Sequence, residues 1–176
     1  MVTVHDDKIT LDNVDRGILH ELQHNARTVT HEEISTSVGV SPSTVRNRIT
    51  QLENTNVIDD YTAQLNYEQA GYPLRVQFIC TAPTKDRSQS AQQVLATPGV
   101  ITIHEMLTSE HNLIIEVVAT DTNDLAEITQ QLSEHDLTIH SSEIIANTYS
   151  QPFSGFDQET VQVHSPDQDD VVMTDK

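Results

Sequence analysis

Apolar residues recur along this chain with two different periods, one in each half. After Asp12, the residues Val14, Ile18, Leu19 and Leu22 fall at i, i+4, i+5 and i+8, one stripe of an α-helix. Asn25 and the following Ala-Arg-Thr end it. Thr30-His-Glu-Glu33 then reads as a capping box, with Thr30 as N-cap and Glu33 three residues on. The helix it opens turns Ile34 and Val38 inward and stops at Gly39, a residue suited to the left-handed position past a helix end. Ser41-Pro42 restarts a helix, Ser as N-cap and Pro at the first helical position, with Val45, Ile49 and Leu52 as its stripe. Asn54-Thr-Asn56 breaks it. Three short helices over 12–53, the last two joined by a tight Gly-Val turn, make the helix-turn-helix arrangement. Spacing alone leaves that open between a DNA-binding domain and any other three-helix bundle. Residues 57–66 read as an extended segment leaving the bundle.

The second half has the period of strands. LRVQFICTA (74–82) puts Leu74, Val76, Phe78 and Cys80 on one face. Residues 86–97 read as a helix with Ala91, Val94 and Leu95 inward, and Pro98-Gly99 as a turn. VITIHEML (100–107) and NLIIEVVAT (112–120) form the two arms of a hairpin. Asp121 or Thr122 caps a helix through His135 with Leu125, Ile128 and Leu132 inward, and LTIHSSEIIANTY (137–149) is a last strand. The order β-α-β-β-α-β is the ferredoxin-like split unit with helices on one face, so the fold class is α+β. Apolar residues on both faces of its strands (Val100, Ile101 and Ile103; Leu113 to Val118) predict that the second face is covered as well, by another copy of the chain. A homodimer or higher homo-oligomer is expected.

Composition narrows the chemistry. The 176 residues carry 27 Asp and Glu against 9 Lys and Arg, a formal charge of −18, which excludes attraction to nucleic acid or an anionic membrane by global charge. The excess is spread along the chain rather than confined to one tail. Scarce Lys with abundant Asp, Glu and Thr points to a salt-rich cytoplasm and a halophilic source, because molar salt screens such self-repulsion to about 3 Å. The acidic, polar N-terminus and the lack of a run of about 18 apolar residues predict a soluble cytoplasmic protein with no membrane partner. A single Cys, Cys80, rules out an internal disulfide and a multi-Cys zinc site, and its place on an apolar strand face predicts core packing. His20 and His24, spaced i,i+4, bring no third ligand, and His104, Glu105 and His140 could meet only by strand adjacency, so no metal or other cofactor is expected. With five Gly, no glycine-rich phosphate loop, no nucleophile elbow and no triad, an enzyme with catalytic residues is not expected either.

Four segments carry a resemblance: LDNVDRGILHELQHNART, VGVSPSTVRNRITQLE, NVIDDYTAQLNYEQAGY and TPGVITIHEMLTSEHNLIIEV. In order and spacing they resemble the Lrp/AsnC, or feast/famine, transcription regulators over residues 11–150. Val40 to Arg48, followed by Leu52-Glu53 and Val57-Ile58, is the most family-specific part. The resemblance implies a DNA-binding N-terminal domain, a connecting strand, and a C-terminal domain that assembles and binds a small effector, usually an amino acid. The expected organisation is a flexible N-terminus (1–10), the helix-turn-helix domain (11–56), a linker strand (57–72), the ferredoxin-like effector and oligomerisation domain (73–156), and an acidic, disordered tail (157–176). The expected function is sequence-specific regulation of transcription on double-stranded DNA; the alternative is a ligand-sensing or protein-interaction module without DNA binding.

Helix geometry then singles out residues. With Val45, Ile49 and Leu52 buried, the third helix turns Ser43 and Asn47 outward, flanked by Arg46 and Thr50 on one side and Thr44 and Gln51 on the other. Residues 41–52 hold two Arg and no acid inside an acidic protein. Ser41, Ser43 and Thr44 surround a helix N-terminus suited to a phosphate, Asn47 and Gln51 can pair with adenine, and Arg46 with guanine. Arg48, nearer the buried edge, is either a phosphate contact or an intra-domain pair. By the resemblance, the hairpin turn Thr108, Ser109, Glu110, His111 and Asn112 is the effector site. The family commonly reads Thr-Gly-Asp-Tyr-Asp there, so Ser109 at the Gly position restricts the backbone, and Glu110 and Asn112 are the expected polar contacts.

Overall fold

The computed structural model describes residues 9–83, 85 and 87–157; the expectations for the first eight residues and for the tail beyond 157 lie outside them. The chain divides into two compact units, one running to Thr62 and including the segment from Ser150, the other Ala63–Tyr149.

The first unit holds α1 (Asn13–Asn25), α2 (His31–Val38) and α3 (Pro42–Asn54). Each begins where a side chain can accept the unpaired N–H groups of a first turn. Asp12 and Asp15 form a capping box on α1, Thr30 and Glu33 on α2, and the Ser41 hydroxyl accepts the Thr44 N–H on α3. Gly39 ends α2 at φ +72 and donates its N–H to the Ser35 carbonyl, so the α2–α3 turn depends on a residue that tolerates the left-handed region. Ile18, Leu19, Ile34, Val45, Ile49 and Leu52 meet as the core. Each such burial contributes about 1.5–3 kcal/mol.

Two boundaries differ from the expectation. The linker strand over 57–72 is not formed: Asn56 turns the chain at φ +53, and the N–H groups of Val57 and Ile58 both bond back to the Leu52 carbonyl, at 2.9 and 3.1 Å. Their side chains pack on the helical core instead of entering a sheet. The ferredoxin-like domain also ends before residue 156. From Ser150 the chain belongs to the helical unit, because Phe156 packs on that core and the Phe153 N–H donates to Gln23 Oε1 at 3.2 Å.

The second unit runs β1 (Leu74–Thr81), α4 (Arg87–Leu95), β2 (Val100–Glu105), β3 (Leu113–Ala119), α5 (Thr122–Glu134) and β4 (Thr138–Ile144). Its antiparallel sheet has the order β2-β3-β1-β4, which is the ferredoxin-like topology. Val76, Phe78 and Cys80 of β1 lie opposite Val117, Ile115 and Leu113 of β3, and with Val94 of α4 and Ile128 and Leu132 of α5 they form the core. Asp121 is the α5 cap, accepting from Asn123 and Asp124. Gly99, at φ +86, lets the α4–β2 turn press on α5; a Cβ there would lie 2.6 Å from Ile128 Cδ1 and 2.9 Å from the Val118 carbonyl oxygen.

Three local readings change. Leu95, expected inward, is half exposed as the last residue of α4. β4, expected over 137–149, covers only Thr138–Ile144, with Ile144 opposite Val76, although Ile145 still donates its N–H to the Arg75 carbonyl at 2.8 Å. The sheet face away from the core is mixed rather than apolar, with Arg75, Gln77, Ile79 and Thr81 of β1 beside Ile114 and Glu116 of β3 and Ser141 and Glu143 of β4.

Candidate nucleic-acid interface and hairpin site

The α3 surface is built from its cap outward. Ser41 Oγ lies 2.8 Å from both Ser43 Oγ and Thr44 Oγ1 and accepts the Thr44 N–H at 3.1 Å, so three hydroxyls gather at the helix N-terminus. Ser41, Ser43, Arg46, Asn47, Thr50 and Gln51 are exposed and Thr44 is half-buried, while Val45, Ile49 and Leu52 face the core. Such a face can offer bidentate amides and a guanidinium to base edges and hydroxyls to a phosphate.

Arg48 stands apart from that face. Its Nη2 lies 2.9 Å from Asp12 Oδ2, and its Nη1 lies 3.3 Å from Asp15 Oδ1, so its charge is held by the two carboxylates that cap α1. Of the two roles open to it, the intra-domain pair is the one observed. The Asp15 N–H, and after it the Arg48 charge, hold the Asp12 carboxyl below its ordinary range despite some desolvation. Asp12 and Asp15 are functional in this sense and were not singled out in the sequence. Their i,i+3 spacing signals a cap, but nothing local signals an arginine 33 residues further on.

The hairpin site divides differently. Asn112 is fully buried: its Oδ1 accepts the Ala82 N–H at 2.8 Å and its Nδ2 donates to the Ala82 carbonyl at 2.9 Å. Both polar ends are spent on one backbone residue, so Asn112 ties the hairpin to the end of β1 and is not available as an effector contact. The left-handed residue of the turn is His111, at φ +52, rather than Ser109. The His111 N–H donates to Thr81 Oγ1 at 2.8 Å, Thr81 Oγ1 lies 2.8 Å from His140 Nε2, and the two imidazoles meet edge-to-face at 4.4 Å. Arg87 braces the turn from α4, with Nη1 3.3 Å from the Thr108 carbonyl and Nε bonded to Glu105, whose other oxygen accepts from Ser88. These bonds, Arg87 foremost, hold the Glu105 carboxyl below its ordinary range. Thr108, Ser109 and Glu110 stay exposed. Thr81 and His140 join this cluster only through the strand pairing, which the local sequence does not announce. Among the described residues no three His, Cys, Asp or Glu side chains converge as a metal site would need, and no helix is long and apolar enough to cross a membrane.

A capped helix-turn-helix followed by a ferredoxin-like unit defines a class of two-domain regulators. Residues 11–53 match the AsnC-type helix-turn-helix domain. A relative in Pyrococcus horikoshii, an uncharacterised HTH-type transcriptional regulator, is 32% identical over 126 residues, which is 71% of this chain and 78% of that protein. A Neisseria meningitidis transcriptional regulator, solved in complex with L-Met, is similar at 27% identity with a TM-score of 0.68, covering 82% of this chain and 96% of its own. The leucine response regulatory protein LrpA of Mycobacterium tuberculosis gives 0.70 at 25% identity, over 81% of this chain and 97% of that one. The chain belongs to the Lrp/AsnC family of DNA-binding transcriptional regulators.

Proposed function

We propose that α3 reads operator DNA through Arg46, Asn47, Thr50 and Gln51, with Ser41, Ser43 and Thr44 on a phosphate, and that the reading is tuned by an amino acid held at the hairpin turn. One observation carries the first part: over residues 41–52, α3 and its cap present an exposed face with two Arg and no acid on a chain of charge −18. Arg48 has no part in the base contacts. Because counterion release adds little in molar salt, affinity rests on base and shape readout over several half-sites. Binding of a genomic fragment library in molar KCl tests this. Enrichment of a common motif that Asn47→Ala abolishes supports the reading, and uniform retention of all sequences refutes it.

For the effector, Glu110 supplies a carboxylate for a ligand's ammonium, and Thr108, Ser109 and His111 lie beside it in the same turn. The relative that binds L-Met supports an amino-acid class. Calorimetric titration with the twenty amino acids on wild type and Glu110→Ala decides: equal binding by the variant removes the turn as the site. The mixed open face of the sheet is the proposed contact between copies in a cytoplasmic homodimer, and a monomeric mass by light scattering in molar KCl would refute that contact.

A further inference from the structure

Two histidines of α1 belong neither to the helical core nor to the α3 surface. The run His20-Glu21-Leu22-Gln23-His24 puts two imidazoles at i and i+4, neighbours across one turn. Their ring centroids lie 4.4 Å apart, with the planes tilted by 45°. His20 is half-buried and His24 exposed. His24 Nδ1 lies 2.8 Å from the His20 carbonyl oxygen, which can only accept, so Nδ1 carries the proton and donates it. That bond fixes the tautomer and leaves the lone pair of the neutral ring on Nε2, as the outer hydrogen bond of a metal-binding histidine does. The i,i+4 spacing did not by itself require a metal; the fixed tautomer and the ring separation point to one.

With metal–nitrogen bonds of about 2.0–2.1 Å, an ion lies about 3.2 Å from each ring centre. Rings on positions about 90° apart then have centres about 4.5 Å apart, and a tetrahedral angle gives about 5.2 Å. The observed separation matches the first. We propose that His20 and His24 form an open chelate for a divalent transition-metal ion of octahedral or tetragonal preference, nickel(II) or copper(II), with water in its other positions. Three converging ligands would enclose an ion; among the described residues none joins these two, so the ion is held at the surface. The run also has the H-E-x-x-H spacing of zinc metallopeptidases. Here Glu21 Oε1 accepts from Ser37 Oγ at 2.5 Å, so the carboxylate that would act as base braces α2, and the pair binds without catalysing. His24 stands in the last turn of α1, where the helix end favours a cation. The other meeting pair, His111 and His140, turns the edge of one ring to the face of the other and shares His140 Nε2 with the Thr81 hydroxyl. Bound at α1, the ion ties residues 20 and 24 across one turn and stabilises the helical unit without using any residue of α3.

The test is titration of the full chain with nickel chloride, followed by ¹H–¹⁵N spectra. The paramagnetic ion should broaden the amides of residues 20–25 before those of any other segment, and calorimetry should count one ion per chain at the tightest site. His24→Gln, at an exposed position, should weaken that binding at least about tenfold, as should His20→Gln, because the second ligand of a chelate binds at high effective concentration. At a hundredfold excess over Kd, nickel should raise the melting temperature of the helical unit by about 10 °C. Magnesium chloride at the same concentration should not, since magnesium prefers oxygen ligands. Broadening centred on His111 and His140, or equal at every histidine, overturns the proposal. So does undiminished affinity in both variants, or no binding at millimolar nickel. An equal rise in melting temperature with magnesium also overturns it, because the effect would then be neutralisation of acidic charge. The wild-type broadening map needs no variant, so it decides even where His20→Gln does not fold.

Discussion

Replacing Arg48 by Ala separates two meanings of a cation on a recognition helix. In the structure it is a clamp between α3 and the cap of α1, and the cost of its loss can be worked from its surroundings. The Asp12 side chain is 48% exposed and Arg48 34%, so that half of the clamp is screened by water and contributes about 0.2–1 kcal/mol. Asp15 is only 10% exposed and would keep just the Asp12 N–H on its carboxylate, which raises the total to about 1–2 kcal/mol. For a unit of this size that is a fall of about 5–15 °C in its melting temperature. The sign with pH follows from Asp12. Its folded carboxyl titrates below the ordinary range, so the stabilisation is present above the unfolded value of about 3.9 and is lost as pH falls through the folded one. Wild type and variant should therefore converge in acid. DNA binding should weaken alike for all sequences, with the slope of log K against log salt unchanged because no phosphate contact is lost. Thermal melts from pH 2 to 8 and salt titrations measure both. A slope reduced by about 0.9 with an unchanged melting temperature would show that Arg48 holds a phosphate and that the clamp is incidental.

Asn47→Ala should weaken specific operator binding by about 1–3 kcal/mol with no change in melting temperature, since the side chain faces away from the core; filter binding against a mutated operator measures it. Asn112→Ala should destabilise the sheet unit by about 2–4 kcal/mol in denaturant melts, because it leaves both the N–H and the carbonyl of Ala82 without a partner in a buried place. Cys80 is fully buried and its thiol is pushed up to about 11, so a thiol reagent at pH 8 should react only when the sheet unit opens, at a rate that denaturant raises.

The elements were legible because each rests on a short-range rule. Thr30 and Glu33, Ser41 and Pro42, Gly39 and Asp121 fix helix ends through bonds that span four residues or fewer, and the stripe of Val45, Ile49 and Leu52 fixes the face that α3 buries. Side chains whose partners lie far along the chain were not legible. Asn112 looked like a polar tip of an exposed turn, and only its meeting with Ala82, 30 residues earlier, makes it a core residue. Arg48 is separated from Asp15 by 33 positions, and Phe153 from Gln23 by 130. The linker strand failed for a related reason. A strand is a property of two segments, and residues 57–58 have their donors taken by the end of α3 before any second segment is met. Periodicity states which residues share a face; it says nothing of what that face meets. The α3 residues proposed to read DNA could be placed at the surface from sequence because facing solvent is all that their position on the helix demands, whereas the hairpin cluster, whose polar groups are shared among β1, α4 and β4, had to be seen folded.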